Sequence, residues 1–248
     1  MLHTIILNLV LLTSFAHLQQ QTALQADEAY RQGDYAAAIE QYEEVLGKGF
    51  ASADLYYNLG NAYYREGQMA RAILSYERAL RLDPTMSDAK ENLVLAESHT
   101  VDRIAELPRF FLVRWVDTLC TTVTPAMWRV VWLVLLALLG AAVVAFRRGS
   151  SRGLRKAGLV VGVVLFLLLV VATWLLLRTT HRYNARNEAV VMESAITVKS
   201  SPEAQSTDKL ILHEGTRLTI SDSLAGWYKI TIADGTTGWC QASDIERI

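Results

Sequence analysis

Two cysteines, Cys120 and Cys240, and five histidines, His3, His17, His99, His181 and His213, are the residues best suited to nucleophilic or metal chemistry in this chain. A zinc site needs cysteines and histidines at short fixed spacings, and a hydroxyl or thiol nucleophile needs an imidazole to take its proton. Neither arrangement is legible. The cysteines form no CxxC pair, the histidines are scattered, and there is no Ser/His/Asp or Cys/His pattern and no phosphate-binding loop. The expectation is a protein that is not an enzyme, with no metal site, no cofactor and no disulfide framework, its two cysteines serving structure. A formal net charge of −1 supplies no field that would draw the chain to nucleic acid.

The elements that frame these residues follow from where the apolar side chains lie. Hydrophobic residues make up 52% of 248 positions while 20% are charged, so the apolar ones must be concentrated. They gather in residues 1–16, 128–146 and 157–177. The first run is too short for a bilayer, which needs about 20 residues. Ser14 and Ala16 occupy the −3 and −1 positions of a cleavage site, and polar His17-Leu18-Gln19-Gln20-Gln21 comes next. Residues 1–16 therefore read as a secretory signal peptide, with an uncleaved anchor as the alternative; both would export the domain C-terminal to them.

Self-similarity at a spacing of 34 residues runs through 19–107: Gly33-Asp34-Tyr35-Ala36 aligns with Gly67-Gln68-Met69-Ala70, Ala38 with Ala72, Tyr42 with Tyr76, and Asn58-Leu59 with Asn92-Leu93. Tyr56, Leu59, Gly60, Tyr63, Gly67, Ala72, Tyr76, Ala79 and Pro84 fall on successive key positions of a tetratricopeptide (TPR) repeat, and the segment resembles that family. Gly60 and Ala72 are small where two antiparallel helices approach, and Gly67 separates helix A, about 53–66, from helix B, about 69–82. Asp83-Pro84 stops helix B, and Thr85-Met86-Ser87-Asp88 offers a capping box for the next helix. The third copy holds only a helix A over 87–98, extending toward Leu107. Two repeats and a capping helix are near the minimum for a stacked core, so the module, residues 17–107, is expected to lean on a partner or on residues 101–107. The resemblance implies protein binding on a concave face lined by the A helices. By motif position that face holds Asp54, Tyr57, Asn58, Asn61, Tyr64 and Arg65, with Asp27, Tyr30 and Arg31 from the first copy and Asp88 and Asn92 from the third. Asn and Arg bond peptide backbone or carboxylate, and Tyr offers rigid contact area. The Lys-rich carboxylate clamp of some TPR domains is not apparent.

Residues 108–127 read as an amphipathic juxtamembrane segment, with Leu112, Val116, Leu119 and Val123 at helical spacing; it lies on the membrane surface or packs on the repeats. Residues 128–146 and 157–177 are long enough to cross a bilayer as a two-helix transmembrane hairpin. No ionisable residue lies in 130–146 or 157–177, which argues against an ion path or proton relay. Trp128, Trp132 and Trp174 are placed to share one interface. Arg147, Arg148, Arg152, Arg155 and Lys156 crowd the loop 147–156 with no acid, which marks it as cytoplasmic. Both aqueous modules then face the periplasm, with the chain in a bacterial inner membrane. Gly158 and Gly162 form a GxxxG, and Ala137, Ala141 and Ala145 form a stripe on the first span, for packing within the hairpin or between copies.

After a linker at 178–187, residues 188–248 change to short β-type runs: 189–192, 195–198, 209–212, 217–220, 227–232 and 238–240. Asp234-Gly235 is a hairpin signal, and alternation puts Trp227, Lys229 and Thr231 opposite Tyr228, Ile230 and Ile232. Ala195-Ile196-Thr197-Val198-Lys199, Leu212-His213-Glu214-Gly215-Thr216, Gly226-Trp227-Tyr228-Lys229-Ile230 and Asp234-Gly235-Thr236-Thr237-Gly238-Trp239 resemble the bacterial SH3-like domain, a small all-β barrel. Members bind peptides or cell-wall material or act as spacers, so the resemblance implies peptidoglycan as a possible ligand. Trp227, Tyr228 and Trp239 are its candidate contacts or part of its core. The order of signal peptide, all-α TPR repeats, two-helix hairpin and SH3-like barrel resembles the BatE family of the Bacteroides aerotolerance operon. That resemblance implies a scaffold beside membrane-anchored von Willebrand factor A proteins in aerotolerance or envelope stress. The alternative is a cell-wall anchor.

Overall fold

The computed structural model describes residues 21–105, 110–184 and 187–248; the expected signal peptide lies outside them. The described residues belong to two compact units, one built from the segments before residue 108 and after residue 186, the other from residues 108–186 between them.

The first unit begins with helices α1 (21–32), α2 (Tyr35–Gly47), α3 (Ala53–Arg65), α4 (Met69–Leu82) and α5 (Ser87–Glu97). Gly33, Gly49 and Gly67 all have φ above +80°, which places a left-handed residue after α1, α2 and α3. Asp34 caps α2 by accepting from the Ala37 N–H, and Ser52 caps α3 by accepting from Leu55. Apolar residues at helical spacing form one core: Ala38, Ile39, Tyr42 and Val45 of α2, Leu55, Leu59, Ala62 and Tyr63 of α3, and Ala72, Ile73 and Tyr76 of α4. Gly60 is the point of closest approach. A methyl group there would stand 2.7 Å from the Tyr76 ring.

Two expectations are corrected in this module. No capping box forms at α5: Met86 is its N-cap without a side-chain bond, and Thr85 instead bonds Asp83 through its N–H and hydroxyl. Thr85 is held in a local turn on Asp83, which competes with capping. The third helix A also does not run on toward Leu107. It ends at Glu97, and residues 101–105 continue as an extended strap.

Strands β1 (Glu188–Val191), β2 (Ala195–Lys199), β3 (Asp208–His213), β4 (Arg217–Leu224), β5 (Trp227–Thr231), β6 (Thr237–Gln241) and β7 (Ile245–Arg247) make one antiparallel sheet in the order β3-β2-β6-β5-β4-β1-β7. It wraps a core of Ile196, Val198, Leu212, Leu218, Ile220, Ile230 and Cys240. Ala225 and Gly226, with φ of 48° and 83°, turn β4 into β5, and Gly235 turns β5 into β6. Gly238 packs so closely on Val198 that no side chain fits there.

In the second unit, α6 (Phe111–Thr122) is followed by α7 (Pro125–Arg148) and α8 (Arg152–Asn184). The last two are each long and apolar enough to cross a membrane. They pair antiparallel: the Trp132 indole N–H near the start of α7 donates to Thr173 Oγ1 near the end of α8 at 2.9 Å. The basic loop is shorter than expected. Arg147 and Arg148 close α7, where cations favour the helix C-terminus, and Arg152, Arg155 and Lys156 already lie in α8. The inward residues of α7 include Trp128, Trp132, Leu135, Leu139, Ala142 and Ala145, and those of α8 include Gly158, Gly162, Leu165, Leu169 and Ala172. These 3–4 spacings are those of a left-handed helix pair. Ala137 and Ala141 are exposed while Ala145 is half-buried, so the stripe meets the seam only at Ala145; a side chain at Gly158 would meet the Phe146 backbone at 2.7 Å.

Candidate protein-binding site

The polar residues on the A helices assemble into a hydrogen-bond motif that itself repeats. Asp27 Oδ1 accepts from the Tyr42 hydroxyl at 2.5 Å and from Asn58 Nδ2 at 3.3 Å. One repeat later, Asn61 Oδ1 accepts from the Tyr76 hydroxyl at 2.8 Å and from Asn92 Nδ2 at 2.8 Å. Each corresponding pair, Asp27/Asn61, Tyr42/Tyr76 and Asn58/Asn92, is one 34-residue period apart. An acceptor on helix A thus ties its own helix B through a tyrosine and the next helix A through an asparagine. Burial pushes the Tyr42 and Tyr76 phenols well above the usual range, and the bond to Asp27 reinforces this for Tyr42, so both stay protonated donors. Tyr63 is likewise pushed up to about 12 by burial and its bond to Glu43.

The other predicted groove residues fall around this ladder. Tyr57 stacks at a tilt on Tyr76, with ring centroids 6.1 Å apart, and its hydroxyl accepts a long bond from Asn92. Tyr64 meets His99 edge-on at 5.7 Å. Tyr30 meets Tyr35 edge-on, and the Arg65 guanidinium lies 4.8 Å from the Tyr35 ring centre. Arg31 is exposed and paired with Glu28. Asp54 and Asp88 sit exposed in the first turns of α3 and α5, where a carboxylate suits the helix dipole. Asp27, Tyr57, Asn58, Asn61 and Asn92 are therefore joined directly, while Arg31, Asp54, Arg65 and Asp88 form the exposed margin. Residues 24–87 match the tetratricopeptide repeat family. In this TPR module the A-helix face combines a fixed polar ladder with exposed charge and tyrosine edges.

The aromatic residues of the sheet divide between two faces. Tyr228 lies opposite buried Cys240 and packs on the core, and the Arg247 guanidinium covers its ring at 4.8 Å. Trp227 and Trp239 lie on the outer face; Trp239 stands between Lys199 of β2 and Lys229 of β5. Residues 194–246 match the bacterial SH3 domain family. A solved structure similar to the chain is the Sgt2 TPR domain from Aspergillus fumigatus, at 16% identity over 77% of this chain and 89% of that one; its TM-score of 0.31 is too low to bear on fold or partner.

Asp102, in the strap after α5, was not foreseen from sequence. Its Oδ2 accepts from the His213 N–H at 2.7 Å and the Thr216 hydroxyl at 2.6 Å, and its Oδ1 from His213 Nδ1 at 2.8 Å. Burial works to raise this carboxyl, but the bonds from Thr216 and His213 outweigh it and hold it below the ordinary range. The grouping of acid, imidazole and hydroxyl is not a nucleophile triad, because Thr216 donates to the carboxylate and not to the imidazole. Nearby, Arg217 pairs with Glu77 of α4 and Glu97 of α5. Burial pushes Glu77 up against the pull of Arg217. Both cysteines are buried free thiols, and burial together with Asp244 pushes Cys240 up to about 12. Among the described residues no three His, Cys, Asp or Glu side chains converge as metal ligands would.

Proposed function

We propose that this protein is a membrane-anchored, non-enzymatic scaffold that presents a TPR groove and an SH3-like barrel together on the periplasmic side of a bacterial inner membrane. One observation carries the reading. The two water-facing modules pack into one unit although two membrane-length helices separate them in sequence. A single crossing would part them, so their packing supports a path that crosses and returns. The cations at the turn, Arg147, Arg148, Arg152, Arg155 and Lys156, favour a cytoplasmic turn and hence periplasmic modules. Protease added to spheroplasts should cut both modules and spare the turn; protection of both modules until lysis would reverse the orientation.

The groove binds an envelope protein through Tyr64 and the exposed margin of Arg31, Asp54, Arg65 and Asp88. The domain order, shared with the BatE family, favours a von Willebrand factor A-type membrane protein as that partner and an aerotolerance or envelope-stress complex as its setting. Arg31→Glu with Arg65→Glu leaves the ladder intact, and is expected to lose the partner in a crosslinking pull-down from native membranes. An unchanged pull-down would count against the groove. A second reading, a peptidoglycan anchor, is favoured by Trp239 between two lysines on the outer sheet face, which suits stacking on a sugar ring beside a carboxylate. Full-length Trp239→Ala that still binds purified sacculi as well as wild type would remove this reading.

A further inference from the structure

The face of α4 turned away from the groove is covered by the barrel. Ile73 is fully buried there, and Val190 of β1, also fully buried, joins the helical core together with Met192 and Ile248. Its neighbours Ala189 and Val191 point the other way, into the barrel core. β1 is thus buried on both faces, as only a strand between two layers can be. Charged contacts ring this apolar centre. Arg78 bonds Glu246 and the Arg247 carbonyl, Arg81 bonds the Ile248 carbonyl, and Arg217 reaches both Glu77 and Glu97. Gly215, with φ of +82°, lies so near Thr100 and Ile73 that a methyl group would overlap both. Ile104 of the strap packs on the barrel core.

In a stacked helical repeat each helix B is flanked by the helix B of the next copy. Here the third copy stops after α5, and the extended strap begins where that helix would start. We propose that the C-terminal barrel closes the helical stack, standing in for the missing second helix of the third repeat, and thereby fixes α5 and the Asn92 wall of the groove. This holds whatever fills the groove. Asn92 bonds Asn61 from the middle of α5, while Glu97 at the end of the same helix bonds Arg217 of the barrel. The strap after α5 is tied to the barrel through Asp102. Barrel docking and groove shape therefore share one helix.

Hydrogen exchange read by mass spectrometry on the full chain in phosphatidylethanolamine/phosphatidylglycerol nanodiscs tests this, with tryptic cleavage at Arg103 reporting release of the strap. Val190→Asp places a charge in the seam. It should free the strap, so that trypsin cuts faster at the already exposed Arg103, and speed exchange across 69–97 by about tenfold or more, while β2, β3, β5 and β6 keep their protection. Asp102→Ala changes a residue outside helices α1–α5 and strands β1–β7; it should speed exchange over 87–97 and leave the strands unchanged. If Val190→Asp melts helices and strands together, the Asp102→Ala result decides: wild-type protection of α5 there overturns the proposal. Rapid cutting at Arg103 with unchanged protection of α4 and α5 in either variant also overturns it.

Discussion

The antiparallel pairs α3–α4 and α7–α8 both place a glycine at their closest approach, but for different ends. At Gly60 the missing side chain makes room for the Tyr76 ring, whose hydroxyl then bonds Asn61. At Gly158 it lets the backbone of α8 approach the backbone of α7 near Phe146 and Ala142. In water, burial of a large ring supplies the driving force. For two helices apolar enough to cross a membrane, lipid surroundings would be as apolar as the seam, so contact would have to come from close fit between small residues. The same residue type thus admits an aromatic anchor in one medium and a backbone in the other.

That contrast can be broken from either side. Tyr76→Ala removes the ring that Gly60 accommodates, and should cost about 3–5 kcal/mol, read as the loss of helical signal on denaturing the full chain in mild detergent. Gly158→Leu should cost about 1–3 kcal/mol by overpacking and separate the hairpin, seen as a longer distance between spin labels on α7 and α8. The repeat module should respond hardly at all; an equal loss there would mean that the two units are coupled. Thr173→Val removes the acceptor of the Trp132 indole, and should cost only about 0.6 kcal/mol, the average for such bonds in membranes.

Acid should weaken barrel docking through Asp102. Its carboxyl is held below the ordinary 3.8 in the folded state. The stabilisation is therefore full above that value and is lost as pH falls from 3.8 through the lowered one. Glu77 has the opposite sign. Its raised carboxyl disfavours the charged form, so its contribution falls as pH rises through and above 4.5. Asp102→Asn should flatten the acid limb of the denaturation midpoint against pH, while Glu77→Gln should remove the decline above 4.5. An acid limb unchanged in Asp102→Asn would place the sensitivity in another carboxylate.

The second repeat was legible nearly to the residue, because helix A, Gly67 and helix B obey a period that repeats in the chain itself. The same period carried Tyr42/Tyr76 and Asn58/Asn92, but the bonds they make with Asp27 and Asn61 needed coordinates. Gly158 and Gly162 were legible as packing residues. Of the alanine stripe only Ala145 turns inward, which the sequence left unmarked because a helix apolar all round carries no polar face to show which side packs. β7 was missed: Ile245-Glu246-Arg247 is three residues with two charges, too short for alternation to register. The aromatic trio parted because Tyr228 and Trp227 are neighbours in one strand, so their side chains leave it on opposite sides. Asp102 gave no signal at all, since its partners lie more than 100 positions away, beyond both apolar helices.

The strap follows α5 in the chain, and its anchorage at Asp102 sets where a tug on the backbone beyond it is felt. Force arriving along the backbone from the C-terminal side of the strap would load the three bonds between Asp102 and the His213–Thr216 loop before it reached α5. Those bonds would then act as a strain relief, like the clamp on a cable, sparing the helices behind them.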